Sequence, residues 1–330
     1  MTKEQKKQTE LFEQVVTTRF PKNHRLQIPK KTHLTFYDVK DHSTESILNK
    51  TKELGRDTFI VALSGGKDSS VVLDKATKLI EVDSAFYIKT NVGVTITETY
   101  TRDLCQSHGI QLHIREPTPH PFIYVAICLE MGFPSYDLHD MIMSYLKYKT
   151  MWKFITEPQF KHKKPVLLSG VRKFESTRRK FKYAQPIASD SDKLWFSCPI
   201  FYESDEQVYK YYLTNNLTRS PVYAMGATDS MECKCGCFAS SPQEMELIKE
   251  IDPQLFDFFE WIREGIIKFG KPWAKRHAVW GGFNTQWTKE EKQEVIKKYL
   301  GSDADHAIKI SQMICGAECG GGTMRGAMNF

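Results

Sequence analysis

The chain has no apolar run approaching the ~20 residues a membrane-spanning helix requires, so the sequence offers no bilayer span. Its first residues, MTKEQKKQTELFEQ, are charged and lack an apolar h-region, so no secretory signal is read there and a cytoplasmic protein is expected. There is no internal repeat and no low-complexity tract, which excludes solenoid and propeller architectures. Charge is short of extremes: 46 Lys and Arg against 40 Asp and Glu leave a net +6, compatible with an enzyme handling polyanionic nucleotides or with a weak nucleic-acid binder. No two of the eight cysteines are adjacent, and in an intracellular chain of 330 residues they are not expected to form a disulfide framework.

What is present is an alternation of strand-like and helix-like segments. Buried-strand runs are read at Phe59–Leu63, in SAFYIKTNVG, IQLHIREP, KKPVLLSGVR and LWFSCPIF. Helical patterns are read at Thr44–Leu54, in TETYTRDLCQSHGI, at Ile142–Phe154 and in SDEQVYKYYLTNN. The last opens on a capping box, Ser204 with Gln207 three residues on. Such alternation predicts an α/β fold with a mainly parallel sheet and helices on both faces. Residues 1–45 read as a charged helix and basic connector, 46–230 as the α/β domain, and 231–330 as a cysteine-rich C-terminal cap containing one or two helices.

The stretch FIVALSGGKDSSVVLDKATK places a glycine-paired turn between a buried strand and a helix start. Helix N-termini at the carboxyl end of a parallel sheet present free N–H groups and a positive dipole end. Ser64, Gly65 and Gly66 allow close approach of the backbone to an anion, Lys67 adds a charge, and Ser69 and Ser70 add hydroxyls. The spacing does not fit the G-x-x-x-x-G-K-[ST] loop. Asp68 inside an anion site makes sense if Mg²⁺ accompanies the phosphates. A second basic cluster, Arg172, Lys173, Arg178, Arg179 and Lys180, follows the Val166–Ser169 strand, with Glu175 placed to orient an arginine or meet a ribose hydroxyl.

Five cysteines form two clusters. Cys233, Cys235 and Cys237 alternate, so an extended backbone would point all three the same way, and Cys315 and Cys319 on a glycine-rich tail could complete a tetrathiolate site. A [4Fe–4S] cluster or a structural Zn²⁺ both satisfy this pattern. His120 and His139 are weaker candidates, and Trp273, Trp280 and Trp287 read as anchors of the cap rather than as a base-stacking surface.

SGGKDSS resembles the S-G-G-x-D-S motif of the PP-loop (N-type) ATP pyrophosphatases, and within that superfamily the chain is most similar to the phosphoadenosine phosphosulfate (PAPS) reductase-like branch. TNVGVTITETY is similar to its D-T-G…P-E-T block, with Asn91 where an acid is usual and Ile96–Thr97 replacing the proline before Glu98. LLSGVRKFESTRR resembles its G-x-R-x-x-E-S-x-x-R block. The resemblance covers roughly residues 50–240. It implies cleavage of ATP between the α- and β-phosphates, with ATP and Mg²⁺ as cofactors. Ser64, Gly65, Gly66, Lys67, Asp68, Ser69, Asn91, Gly93, Gly170, Arg172, Glu175 and Ser176 would bind nucleotide, and Lys67, Asp68, Arg172, Arg178 and Arg179 would act in catalysis. MECKCGCFAS resembles the cysteine segments of relatives in DNA phosphorothioation and mobile-element defence, a resemblance that favours a [4Fe–4S] cluster over Zn²⁺. That implies sulfur transfer or nucleic-acid modification, with a sulfur-donor or other protein partner, and a homodimer is compatible. A second reading, PAPS or adenylyl-sulfate reduction, rests on Glu318–Cys319–Gly320, which matches the start of the reductases' E-C-G-[LI]-H nucleophile motif and then departs from it. A third is a nucleotide-sensing subunit of a complex.

Overall fold

The computed structural model describes residues 35–118, 122–174, 185–189, 192–239 and 241–281, with positions 288, 290, 291 and 293. In chain order the first half contains β1 (Thr35–Tyr37), α1 (Thr44–Glu53), β2 (Thr58–Leu63), α2 (Lys67–Leu79), β3 (Ser84–Ile88), α3 (Thr95–Ser107), β4 (Leu112–Arg115) and α4 (Ile123–Met131). Then come α5 (His139–Met143), a π-helical turn (Ser144–Tyr148), α6 (Lys149–Ile155), β5 (Pro165–Leu168), β6 (Ile187–Ser189) and β7 (Trp195–Ser197). The remainder is helical: α7 (Asp205–Asn215), α8 (Pro221–Ala224), α9 (Gln243–Ile251), α10 (Pro253–Phe269) and α11 (Pro272–Arg276).

Seven strands form one sheet in the order β1-β6-β7-β5-β2-β3-β4. The five strands from β7 to β4 run parallel, while β6 pairs antiparallel with both β1 and β7. The expected mainly parallel α/β architecture is therefore what the chain adopts. Central strands covered by helices on both faces cannot alternate polar with apolar side chains. Accordingly TFIVAL and SAFYI are buried almost without interruption, whereas β4, at the sheet edge, is half-buried along its length. In register, Val61 faces Ala85 on one side and Leu168 on the other. The chain leaves β2 for β3 on one flank and later reaches β5 on the other, so the crevice at β2's carboxyl end is the place where such sheets bind ligands.

The cysteine-bearing segment is tied to the β3–α3 loop. Val94 N–H donates to the Met231 carbonyl at 2.9 Å, Lys234 N–H to Val92 O at 2.7 Å, and the Thr90 hydroxyl to Glu232 O at 2.7 Å. A Cβ on Gly93 would lie 2.0 Å from that Glu232 carbonyl oxygen, so only glycine permits this approach.

The helical region after residue 240 divides at Asp252–Pro253. A residue before proline is driven out of the α region, and Asp252 sits at φ −144°, ψ 83°, ending α9 while its carboxylate caps α10 through Leu255 N–H at 3.0 Å. Leu255, Phe259, Ile262 and Ile266 then form the buried stripe of α10, at the spacing one helix face requires. The helix expected over Ile142–Phe154 is interrupted by the π turn, which directs Lys147 inward onto Glu232.

Candidate phosphate and nucleotide site

The SGGKDSS turn lies at the carboxyl end of β2. Gly65 has φ +71°, and a Cβ there would stand 2.5 Å from Thr97 Cγ2 and 3.0 Å from Thr101 Oγ1, so α3 closes directly over the turn. Gly66 is the N-cap of α2 and supplies no side chain to its first turn. The serines brace the loop internally. Ser64 N–H donates to Ser69 Oγ at 3.3 Å, the two hydroxyls are 3.2 Å apart, and the hydroxyls of Ser69 and Ser70 donate to Gly66 O at 3.1 and 3.0 Å. On its outer side the turn meets two tyrosines: Lys67 N–H donates to the Tyr223 hydroxyl at 3.2 Å, and the Tyr212 hydroxyl donates to Lys67 O at 3.0 Å.

Four charges converge at the start of α2. Arg172, 1% exposed, places Nε 2.9 Å from Asp68 Oδ1 and Nη2 2.7 Å from Asp205 Oδ1. Lys67 Nζ lies 3.0 Å from the same Asp205 oxygen and 3.4 Å from Asp68 Oδ2. Arg172 reaches the site because the loop after β5 runs against α2. A Cβ on Gly170 would be 2.8 Å from Ser69 N and 2.9 Å from the Asp68 carbonyl carbon. Partial burial raises the Asp205 carboxyl, but hydrogen bonds and charge from Lys67 and Arg172 outweigh it and hold the group below its ordinary range. Two cations and a helix N-terminus around one crevice make an anion seat.

Beside this seat, across the first turn of α3, is a cavity of about 400 Å³. Its lining includes Tyr87, Lys89, Asn91, Gly93, Glu98, Glu116, Phe122, Glu232, Asp252 and Phe258. Asn91 holds a left-handed backbone at φ +62°, a conformation asparagine tolerates better than most residues. Glu98 is braced by Arg102 at 2.7 Å and Lys89 at 3.4 Å. Asp252 links the cavity's two walls, accepting from Thr95 N–H of α3 at 2.8 Å as well as capping α10. Burial, followed by the charges of Glu232 and Glu98, pushes the Tyr87 hydroxyl pKa well up, so it is a neutral donor.

The structure thus gathers Ser64, Gly65, Gly66, Lys67, Asp68, Ser69, Gly170 and Arg172 at one crevice and puts Asn91 and Gly93 in the adjoining cavity. Glu175, Ser176, Arg178, Arg179, Cys315, Cys319, His120 and Trp287 lie outside the described residues. His139 is buried against Phe238, ring centroids 4.3 Å apart, away from this crevice's partners. Trp280 Nε1 donates to Lys234 O at 3.0 Å and Trp273 Nε1 to Glu130 O at 2.7 Å, the anchoring role expected of them. Sequence reasoning missed Asp205, Tyr212 and Tyr223. The capping box marked where α7 begins, but an acid at a helix's first position is ordinarily read as a dipole partner.

The tetrathiolate reading joins Cys233, Cys235 and Cys237 to Cys315 and Cys319, and the last two lie outside the described residues. The Cys233 and Cys235 thiols meet, and Cys235 meets Cys237 across a turn at Gly236, which has φ +87° and a would-be Cβ 3.0 Å from Gly281 N. Among the described residues, no group of three or more His, Cys, Asp or Glu side chains is arranged to hold a metal ion. All three thiols are buried, with Cys128 beneath them. Burial pushes the Cys128 and Cys237 thiols up, and Cys233 is raised first by its hydrogen bond with Cys235 and then by burial. A bound cluster or Zn²⁺ would itself displace the protons of such thiols, and no step of the reaction is routed through either. Asp68 and Asp205, by contrast, are hard oxygen donors of the class Mg²⁺ takes, and they meet at one cation.

The family model for the phosphoadenosine phosphosulfate reductase domain matches residues 58–243. No curated protein matches the chain. Among solved structures, phosphoadenylyl-sulfate (PAPS) reductase from Candida auris, a phosphate complex, is 18% identical, covering 56% of this chain and 85% of that one, with a TM-score of 0.42. FMN adenylyltransferase from Candida glabrata is 13% identical over 67% and 71%, with a TM-score of 0.39. NH3-dependent NAD synthetase from Campylobacter jejuni is 18% identical over 74% and 95%, with a TM-score of 0.40.

Proposed function

The chain belongs to the phosphoadenosine phosphosulfate reductase domain family, and from that premise we propose that it cleaves ATP between the α- and β-phosphates. The observation that carries this is the meeting of Lys67 and Arg172 at the N-terminus of α2, at the carboxyl end of β2. The seat offers pyrophosphate the two cations Lys67 and Arg172, which here face Asp68 and Asp205. Its backbone is pre-formed by Gly65 and braced by serines, so it needs no reorganisation as charge develops.

In this reading the β- and γ-phosphates lie at the start of α2, and the nucleoside side extends across α3's first turn into the cavity with Asn91 and Gly93. A nucleophilic oxygen, from water or an acceptor, attacks the α-phosphorus. The bond from that phosphorus to the bridging oxygen breaks, and pyrophosphate leaves with the electron pair. Lys67 and Arg172 neutralise the charge growing on the leaving group, the largest contribution such a site makes. Asp68 keeps the buried Arg172 aimed at the seat. Bound Mg²⁺, with Asp68 as its protein ligand, would supply further charge neutralisation on the phosphates. Transfer of the adenylyl group to a sulfur-carrying or nucleic-acid acceptor is the family's direction, and the carboxylate-rich cavity favours a neutral or cationic acceptor group.

The test is the product split. With Mg²⁺ and ATP the protein is expected to yield AMP and pyrophosphate, resolved by anion exchange, and Lys67→Ala is expected to lower the rate by roughly 10²-fold or more. ADP and orthophosphate as products would refute it.

A further inference from the structure

We propose that Asp205 is the resident counter-anion of the phosphate seat and sets how much charge a ligand must bring to enter it. This rests on the reading that the seat takes phosphate. Two anions share Lys67 and Arg172, and they differ in what they can do. Asp68 is 3% exposed and fixed in the first turn of α2. Asp205 has its side chain 76% exposed, yet one oxygen meets Arg172 Nη2 at 2.7 Å and Lys67 Nζ at 3.0 Å.

The backbone beneath Asp205 is pinned. Ser204 and Gln207 close a reciprocal capping box, Arg172 Nη1 donates to Glu203 O at 3.3 Å, and the Tyr212 hydroxyl holds Lys67 O. The helix end therefore stays while the carboxylate alone is free to rotate into water. With Asp68 and Asp205 in place, Lys67 and Arg172 are already neutralised. A monoanion displacing Asp205 exchanges one charge for one and gains little. Pyrophosphate brings several charges against the same two cations and gains the difference. Asp205 thereby sets a threshold that a polyphosphate clears and a monoanion does not.

Pyrophosphate and orthophosphate binding would be measured by calorimetry in EDTA for the wild-type chain, Asp205→Asn, Asp205→Ser and Glu206→Gln. The Glu206 variant removes the same charge from the same helix turn without touching either cation. Asp205→Ser keeps a residue suited to a helix start, should the asparagine variant fold poorly. The Asp205 variants are expected to bind pyrophosphate about tenfold more tightly, to bind orthophosphate more tightly as well, and Glu206→Gln is expected to change either by less than about twofold. Unchanged or weaker binding in the Asp205 variants, or an equal gain in Glu206→Gln, overturns the assignment of Asp205 alone. No pyrophosphate binding by any of the proteins overturns the phosphate seat itself, and the proposed function with it.

Discussion

Arg172→Ala tests whether the charge network is structural as well as functional. Arg172 and Asp68 are 1% and 3% exposed, with Nε and Oδ1 2.9 Å apart. Truncating one member of a buried pair leaves the other charged and unpaired, which costs about 3–5 kcal/mol. Lys67 Nζ remains 3.4 Å from Asp68, from a partly exposed position where its contribution is small. The expected loss is therefore toward the lower end, about 3 kcal/mol, or roughly 4–5 °C in Tm for a chain of this size. Urea unfolding of the wild type, Arg172→Ala, Asp68→Asn and the double variant separates the causes. If the orphaned carboxylate is what destabilises Arg172→Ala, adding Asp68→Asn removes that charge at nearly constant shape and should restore about 1–2 kcal/mol. A double variant no more stable than Arg172→Ala would refute this, leaving lost packing of the long arginine stem as the cause. A loss below about 1 kcal/mol in Arg172→Ala would show that the pair is not buried as described.

Gly170→Ala should cost about 2–3 kcal/mol and weaken pyrophosphate binding, because the new methyl meets backbone atoms of Ser69 and Asp68 that cannot yield; calorimetry against urea unfolding reads both. Lys147→Met should lose about 3 kcal/mol by leaving Glu232 buried without its ammonium, and Glu232→Gln in the same chain should recover part of it. Burial lowers the His277 pKa beneath its ordinary 6.5, so the unfolded chain takes up the proton first and the fold loses stability as pH falls through and below that value. A His277→Gln variant should show a shallower drop in Tm between about pH 7.5 and 5.5, and an identical slope would remove His277 from the cause. Cys128, Cys233 and Cys237, buried with raised pKa values, should alkylate with iodoacetamide only as the protein opens; fast labelling of the native chain would show a thiolate where neutral thiols are described.

The parts legible in the sequence are those whose causes are local. SGGKDSS could be placed on a strand–turn–helix because the apolar run, the glycines and the serines that brace the turn are contiguous. The capping box at Ser204 and Gln207 forms as its spacing requires, and the break at Asp252–Pro253 follows from what proline does to the residue before it. What was not legible depends on partners far apart in the chain. Asp205 reaches Lys67 across 138 positions and Arg172 across 33, and nothing in SDEQ distinguishes an acid that caps from one that also neutralises a phosphate seat. Nothing within Ile142–Phe154 marks the π turn that carries Lys147, whose partner Glu232 lies far along the chain.

The geometry of the cysteine triplet depends on a turn as well as on its spacing. Alternation aligns side chains only if the backbone is extended, and C-K-C-G-C contains the residue that ends extension. With Gly236 at φ +87° the segment folds back against Gly281. Lys234 turns away to Asp229 and Glu244 at 3.1 and 3.0 Å. The Cys235 carbonyl accepts from the buried Tyr124 hydroxyl at 2.7 Å. Each of these contacts satisfies a backbone or charged group that would otherwise be buried unpaired, and together they fix Glu232 in the wall of the cavity. The buried thiols meet one another, Cys233 with Cys235 and Cys235 with Cys237. Among the described residues this segment therefore holds Glu232 in the wall of the cavity and closes over Gly93.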